Sequence, residues 1–150
     1  MIIKINRKKL GYAIVAATVL FIFSNSCLPR DQSLEVSDGA KEILERVFGA
    51  DSVFSLFLQE YIRKIGHVLE YGLLGVEVAL VSGIHREFGL WRFYHCMAFG
   101  LMAAVLDESI QILSGRGPLV SDILLDTAAF SVLGALTALL VLATGKKKGV

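Results

Sequence analysis

The chain has 150 residues, which is room for a single domain, and 55% of them are hydrophobic. Its mean hydropathy of +0.64 is too high for an ordinary soluble domain of this size. The net charge of +1 argues against nucleic acid as a partner, and two cysteines are too few for a disulfide scaffold or a zinc finger. These exclusions leave a small helical membrane protein, in which 15 basic and 14 acidic residues must have particular positions.

Four stretches are apolar and long enough to cross a membrane, which takes about 20 residues. They are residues 10–28, 62–84, 93–113 and 119–144. None of them alternates with the period of two that a barrel strand would show. The sequence therefore predicts an all-α membrane protein, a four-transmembrane-helix bundle that forms one domain over residues 1–150.

The first span also allows interpretation as a secretory or lipoprotein signal, because a basic start precedes the apolar run and Cys27 follows it. A lipoprotein signal needs an aliphatic residue three positions before the cysteine, and this chain has Ser24 there. An uncleaved first span is therefore favoured. It places Cys27 and Cys96 at opposite ends of the bundle, so we expect no disulfide between them.

The distribution of lysine and arginine predicts the orientation, since cytoplasmic flanks are enriched in these residues. Four spans put the N-terminus, the connector between the second and third spans and the C-terminal tail on one side, with nine basic residues against Glu87. The opposite side receives the turn 114–118 and the outer connector, residues 29–61, which holds seven acidic residues. We expect both termini in the cytoplasm and the outer connector outside.

The outer connector is predicted to contain a short helix that lies in the membrane interface. Asp38 suits the start of a helix that continues through Phe48, with apolar residues such as Ile43 and Val47 on one side. Residues 53–58 form a second apolar segment of the same kind. A solvated loop is the alternative interpretation.

Ionisable side chains inside the predicted spans are the main functional signal, because each costs at least ~2.5 kcal/mol to insert. At 100° per residue, those of the second span share one helix face. The polar groups of the second, third and fourth spans all lie in the outer halves, and Ser24 and Asn25 of the first span reach the same level. We therefore expect one polar cluster that opens to the outer side. Its predicted members are Lys64, His67, Glu70, Tyr71, Asp107, Glu108, Gln111, Asp122 and Asp126, with Arg116 in the adjoining turn.

Some of these residues allow simpler interpretations. Lys64 could be an interfacial lysine whose ammonium reaches water. Asp122 could be stabilised by the dipole at the start of the fourth helix. Arg116 is either an ordinary turn charge or the counter-ion of the acids in the third and fourth spans. Glu77 lies deeper, near the bilayer centre. Its carboxyl group could be neutral, paired with another group or exposed to a cavity, and the sequence does not decide among these states.

The order and spacing of these residues resemble the VanZ-like family of small bacterial membrane proteins. The resemblance covers most of the chain and rests on Phe23-Ser24-Asn25-Ser26, Lys64-x-x-His67-x-x-Glu70-Tyr71, Asp107-Glu108-x-x-Gln111, Gly115-Arg116 and Ser121-Asp122-x-x-x-Asp126 with Gly134. The family often has Asn where this chain has Asp126. The resemblance implies a multi-pass protein of the bacterial cytoplasmic membrane with an envelope role, in a family linked to low-level resistance to the glycopeptide teicoplanin.

Three functions compete at this point. The first is a site that acts on or binds an envelope lipid or a cell-wall precursor, with His67 as the base and Glu70, Asp107 and Glu108 as the other candidate catalytic residues. Asp107 or Glu108 is the expected orienting partner of His67. The sequence names no cofactor, but the carboxylates and His67 are residue types that could hold a divalent cation. The residues predicted to bind the substrate are Lys64, Tyr71, Gln111, Arg116, Asp122 and Asp126.

The second function is a non-enzymatic module in which the cluster binds a membrane lipid, a peptide or an envelope protein. The third is proton-coupled transport, since acids inside a membrane can relay protons. We rank transport lowest, because four short spans leave little room for alternating access and the acids lie at one level.

Overall fold

The computed structural model describes residues 6–49, 52–83, 89–116 and 120–145. These residues form five helices and no strand: α1 (Arg7–Ser26), α2 (Arg30–Phe48), α3 (Val53–Ser82), α4 (Leu90–Leu113) and α5 (Val120–Gly145). Helices α1, α4 and α5 are each apolar and long enough to cross a membrane, and so is the part of α3 from Tyr61 onwards. The predicted all-α class with four spans is confirmed.

The ends of the helices follow local sequence signals. The side chain of Asn6 accepts a hydrogen bond of 3.0 Å from the amide of Lys8 and so caps the start of α1. Glycines with positive φ end the next two helices, Gly49 (φ 87°) after α2 and Gly83 (φ 68°) after α3. Only glycine adopts such angles without strain, so these positions fix the lengths of both helices.

Helix α3 is the centre of the bundle. It packs most extensively against α5 and also contacts α1, α2 and α4. Gly75 of α3 lies so close to α5 that a Cβ atom there would meet the carbonyl oxygen of Phe130, and Gly134 faces the backbone of Gly75 in return. On α4, Gly100 lies against the Phe130 ring. Such close approach through small residues is typical of helix pairs in membranes.

Most large apolar side chains lie on the outside of the bundle. The buried apolar core is small and includes Ile22, Leu74 and Phe130. By contrast, Leu139 and Leu140 of α5 are both more than half exposed. An apolar exterior around a small interior suits a protein whose surroundings are lipid rather than water.

We call the end of the bundle that holds the C-terminus of α1, helix α2 and the turn after α4 the connector end. The opposite end, which holds the start of α1 and the C-terminus of α5, is the terminal end. Contacts between Arg116 and the backbone of Asn25 and Ser26 define the first end. A hydrogen bond from Arg92 to the carbonyl of Gly83 lies at the second.

The helix of the outer connector begins nine residues earlier than predicted, at Arg30 rather than after Asp38. Pro29 is the N-cap of this helix, where the missing proline amide costs no hydrogen bond within the helix. No further helix breaker follows before Gly39. Asp38 does not cap a helix: its carboxylate accepts a hydrogen bond of 2.7 Å from Lys41 within the same helix. A position of α2 in the membrane interface stays a prediction.

The apolar segment 53–58 is not a separate interfacial element, because it forms the first turns of α3. Helix α2 ends at its C-cap, Gly49, and Ser52 is the N-cap of α3. From there to the second predicted span, no proline or glycine interrupts the helical sequence before Gly66. One helix of 30 residues therefore includes both segments.

The two cysteines are free, and their positions test the topology. Cys27 is exposed at the connector end, next to Ser26, which contacts Asp107. Cys96 lies 11 residues before Asp107 on α4, which at 1.5 Å per residue is about 16 Å away. A disulfide needs Cα atoms within about 7 Å, so mild oxidation should leave the chain without an internal cross-link on a non-reducing gel.

The same cysteines report the orientation. If the connector end faces outwards, a membrane-impermeant maleimide should label Cys27 in intact cells, and a Cys27→Ser variant should lose this label. Labelling of Cys27 only in inverted membrane vesicles would contradict the predicted orientation.

Candidate functional site

Polar side chains from three helices are buried together in the half of the bundle nearest the connector end. Six of them are at most 7% exposed: Tyr71, Asp107, Glu108, Gln111, Asp122 and Asp126. We call these six, together with His67 and Glu70, the polar cluster. Helix α3 contributes three members, α4 contributes three, and α5 contributes two. The structure therefore brings eight of the ten predicted residues together, without Lys64 and Arg116.

His67 and Asp126 form the central pair of the polar cluster. The His67 side chain is 13% exposed and that of Asp126 is completely buried. Nδ1 of His67 lies 3.2 Å from both carboxylate oxygens of Asp126, and it is aligned for a hydrogen bond with Oδ2. The partner of His67 is thus Asp126 on α5, not the expected Asp107 or Glu108 on α4. A carboxylate in this position orients the imidazole and favours one tautomer.

Helix α1 supplies two residues that hold the acids of the polar cluster. The hydroxyl of Ser26 donates to Oδ1 of Asp107, whose other oxygen accepts a hydrogen bond of 3.1 Å from Gln111. The Asn25 amide donates to Glu70 at 2.7 Å. Sequence reasoning placed Asn25 at this level but assigned no role to Ser26, whose only signal was its place in the motif Phe23-Ser24-Asn25-Ser26.

Ser24, which was expected at the same level as Asn25, does not join the polar cluster. Its side chain is exposed and donates to the carbonyl oxygen of Leu20 in the preceding turn. Adjacent residues of a helix point about 100° apart. Only Asn25 and Ser26 therefore face the bundle interior at the end of α1.

The polar cluster contains two sets of potential metal ligands that share His67. One set adds Asp107 and Asp126, and the other adds Glu108 and Asp122. Within each set, one ligand atom per residue lies within 4.8 Å of the other two. A single ion, a water molecule or a transferred proton fits between atoms this close.

Some buried polar atoms of this region lack a hydrogen-bond partner among the described residues. They include the hydroxyl of Tyr71, Oδ1 of Asp126 and the hydroxyl of Thr127. Tyr71 is completely buried and interacts electrostatically with Asp107 and Asp126. Buried polar groups are normally satisfied, so these atoms are available to a ligand.

Arg116 caps the polar cluster at the connector end. Its guanidinium donates to the carbonyl oxygens of Asn25 (3.1 Å) and Ser26 (2.6 Å), and to the hydroxyl of Ser33 on α2 (3.2 Å). These hydrogen bonds fasten the turn to α1 and α2. Of the two interpretations left open for Arg116, the counter-ion finds support in its electrostatic interaction with Asp107 and Glu108, although these three hydrogen bonds go to carbonyl oxygens and a hydroxyl rather than to a carboxylate. Burial, and then Arg63, lower the pKa of Arg116 from its ordinary value, but an arginine remains charged at neutral pH.

Lys64 lies outside the polar cluster. Its side chain is exposed, and its ammonium lies 5.8 Å from the centre of the Tyr61 ring one turn earlier. Arg63 is also exposed. Both positions agree with the simpler interpretation of interfacial side chains, although the two cations lie on the same half of α3 as His67.

Glu77 belongs to a different region, nearer the terminal end. Thr18 of α1 donates to its Oε1 at 2.9 Å, while its buried Oε2 has no hydrogen-bond partner among the described residues. Glu77 also lines a cavity of about 740 Å³, together with Arg7, Lys8 and Arg92. Of the states left open for this residue, the structure shows a carboxyl group that is hydrogen-bonded and borders a cavity.

One family of known proteins matches nearly the whole chain. The chain matches the VanZ/LLP1 family over residues 10–143, which include all four apolar helices except their outermost residues and every member of the polar cluster. No curated protein and no solved structure matches the chain. A match over nearly the whole length identifies the chain as a member of the VanZ/LLP1 family of membrane proteins.

Proposed function

We propose that this protein binds an envelope lipid or a lipid-linked cell-wall precursor through its polar cluster, from the outer side of the bacterial cytoplasmic membrane. The observation that carries this proposal is the burial of acids from α4 and α5 beside His67 at one level of the bundle. Apolar residues would hold such helices together at lower free-energy cost. Polar groups at this depth are therefore best explained by a ligand.

The lipid head group approaches from the connector end in this proposal. Arg116 lies there, and its buried Nε has no hydrogen-bond partner among the described residues. Its other donors are engaged by the carbonyl oxygens of Asn25 and Ser26 and by Ser33, so in this proposal Arg116 attracts an anionic head group through its charge rather than through a pair of hydrogen bonds. Lys64, exposed on the same half of α3, supplies a second cation for an anionic head group at the membrane surface.

Chemistry on the bound lipid would centre on His67. Its imidazole is the only group of the polar cluster that titrates near neutral pH when unperturbed. Asp126 orients the ring through Nδ1, so the other ring nitrogen is the one to exchange a proton with a substrate. Asp107, Glu108 and Glu70 then complete the polar surroundings of the reacting group.

A comparison of strains tests this proposal. A deletion strain is complemented with the wild-type chain, with His67→Ala or with His95→Ala, and total lipids and muropeptides are compared by mass spectrometry. His95 is a matched control, because it is an exposed histidine on α4 whose ring nitrogen contacts only the carbonyl of Trp91 in its own helix.

We expect the deletion and His67→Ala strains to accumulate the same lipid or precursor, by at least tenfold, while the wild-type and His95→Ala chains restore its normal level. Sensitivity to teicoplanin is measured in the same strains. Restoration by His67→Ala at normal protein level would contradict the proposal. An unchanged lipid profile with altered antibiotic sensitivity would instead indicate a non-enzymatic modulator.

A further inference from the structure

We propose that the polar cluster holds a divalent cation on His67, Asp107 and Asp126, and that this cation is the contact for a phosphate group of the lipid. The part of this inference that concerns the phosphate rests on the proposed function. The cation site itself rests on the positions of the three side chains and stands without it.

The distances fit a cation. Two ligand atoms that each lie about 2.1 Å from a metal, at angles between tetrahedral and octahedral values, are about 3.0–3.4 Å apart. Nδ1 of His67 and the carboxylate oxygens of Asp126 are separated by 3.2 Å. Asp107 belongs to the same set, in which one ring nitrogen of His67 and one carboxylate oxygen of each aspartate lie within 4.8 Å of one another. Three ligands from three helices could therefore close around one ion with small side-chain movements.

Two buried atoms without a hydrogen-bond partner in the described part of the chain point to a ligand, and one of them, the hydroxyl of Tyr71, does not belong to an acid. Oδ1 of Asp126 is buried without a hydrogen-bond partner among the described residues, and a cation between Asp126 and His67 would supply one. The hydroxyl of Tyr71 is equally unsatisfied, and its side chain is completely buried. A water molecule bound to the cation would satisfy this hydroxyl, as buried polar groups normally require.

The excess of acidic over basic side chains in the polar cluster also favours a divalent cation. His67 is the only basic member of the polar cluster. Arg63 and Lys64 are exposed. Arg116 interacts electrostatically with Asp107 and Glu108 from the connector end, so one arginine and one histidine face five acids. Buried carboxylates are stable as ions only when they are paired or bound to a metal. A divalent cation would neutralise two of them at once. The acids that this cluster must accommodate are Glu70, Asp107, Glu108, Asp122 and Asp126.

The hydrogen bonds around Asp107 hold a ligand in place. Ser26 donates to one of its oxygens and Gln111 to the other. Each carboxylate oxygen has a further lone pair, and donors behind a ligating carboxylate typically raise metal affinity 10–100-fold. The alternative set, His67 with Glu108 and Asp122, shares the imidazole. We favour Asp107 and Asp126, because Nδ1 of His67 already faces Asp126. The cation would replace the hydrogen bond between these two groups, and the other ring nitrogen of His67 would stay free to exchange a proton.

The ligand types narrow the choice of metal. One imidazole nitrogen and two carboxylates suit Mn²⁺ or Zn²⁺, whereas Mg²⁺ and Ca²⁺ prefer oxygen ligands alone. An ion with three protein ligands keeps open positions. A phosphate oxygen entering from the connector end could occupy one of them, because phosphate oxygens are common ligands of such ions.

The test uses the full chain purified in detergent, stripped with a chelator and titrated with Mn²⁺ and, in parallel, with Zn²⁺. We expect saturable binding of at least one of these metals at one ion per chain. Asp107→Asn and Asp126→Asn should each weaken binding at least tenfold, since an amide is a poorer ligand than a carboxylate. Asp38→Asn should bind like the wild type, because Asp38 is exposed on α2 and pairs with Lys41.

Circular dichroism and thermal unfolding establish that the near-isosteric variants are folded. Saturable binding of neither metal by the wild type would overturn the proposal, as would binding by Asp107→Asn and Asp126→Asn equal to the wild type. Loss of binding only in Glu108→Gln and Asp122→Asn would overturn the assignment of ligands. A missing cation together with a His67-dependent lipid change would leave the proposed function intact.

Discussion

Replacing Gly75 with alanine should separate α3 from α5 and leave little folded protein in detergent. The added Cβ would meet the carbonyl oxygen of Phe130, a backbone atom that cannot rotate away as a side chain can. Overpacking of this kind typically costs about 1–3 kcal/mol, and we expect the upper end of that range or more. The contact is central, because α3 and α5 form the most extensive helix pair of the bundle.

Gly66→Ala is the matched control for Gly75→Ala. Gly66 lies on the same helix, and no atom lies within 4 Å of the position of its missing Cβ. Alanine favours a helix over glycine by up to about 1 kcal/mol, so this variant should unfold at or above the wild-type temperature. The midpoint of thermal unfolding measures both variants. A Gly75→Ala midpoint equal to that of the wild type would mean that α3 and α5 do not approach as described.

The second large effect is expected for Arg116→Ala. The guanidinium donates to two carbonyl oxygens at the end of α1 and to Ser33 of α2. Hydrogen bonds to charged groups contribute about 1.5–3 kcal/mol each. In the wild type the Ser114 hydroxyl also donates to the Ser26 carbonyl, at 2.8 Å, and would keep that oxygen satisfied in the variant. Water at the connector end would replace part of the other bonds. We therefore expect a loss of about 2–3 kcal/mol in the free energy of unfolding, well below the sum for three such bonds.

Two further variants sharpen this measurement. Arg116→Lys keeps the charge but loses the planar fork of donors, so its unfolding free energy should fall between those of wild type and Arg116→Ala. Arg46→Ala removes an exposed arginine that lies 3.6 Å from Glu42 on α2, and it should change stability by about 0.5 kcal/mol at most. Equal losses for Arg46→Ala and Arg116→Ala would show that the turn is not fastened through Arg116.

The four spans could be predicted because a membrane imposes a simple length and hydropathy requirement on each helix. The polar cluster could be predicted because ionisable residues inside a span are costly and must face the bundle interior. Depth then placed His67, Asp107 and Asp126 at one level. Both inferences use only the length and hydropathy of each span and the positions of ionisable residues along it. Neither requires knowledge of how the helices pack.

Features that depend on rotation and helix packing could not be predicted in the same way. Spacing alone does not show that His67 faces α5 and Asp126 rather than α4, since the relative rotation of the helices decides it. Ser26 was missed because a serine at the end of an apolar helix has many possible roles. Gly75 carries no signal either, until the backbone of Phe130 is seen beside it.

Partition of charge within the chain is more informative than its net charge of +1. Exposed acids such as Glu42 lie on α2, whereas Asp107 and Asp126 are almost completely buried. The acids therefore form two populations with different tasks. Those of α2 face the surroundings of the bundle, and those of the polar cluster form the proposed binding site.

The most direct measurement of the proposed role is native mass spectrometry of the chain released from membranes in mild detergent. The wild type and His95→Ala should carry the same envelope lipid or precursor, and His67→Ala and Asp126→Asn should carry at least tenfold less of it. If the two cluster variants retain the same bound lipid at the wild-type level, the polar cluster is not its binding site.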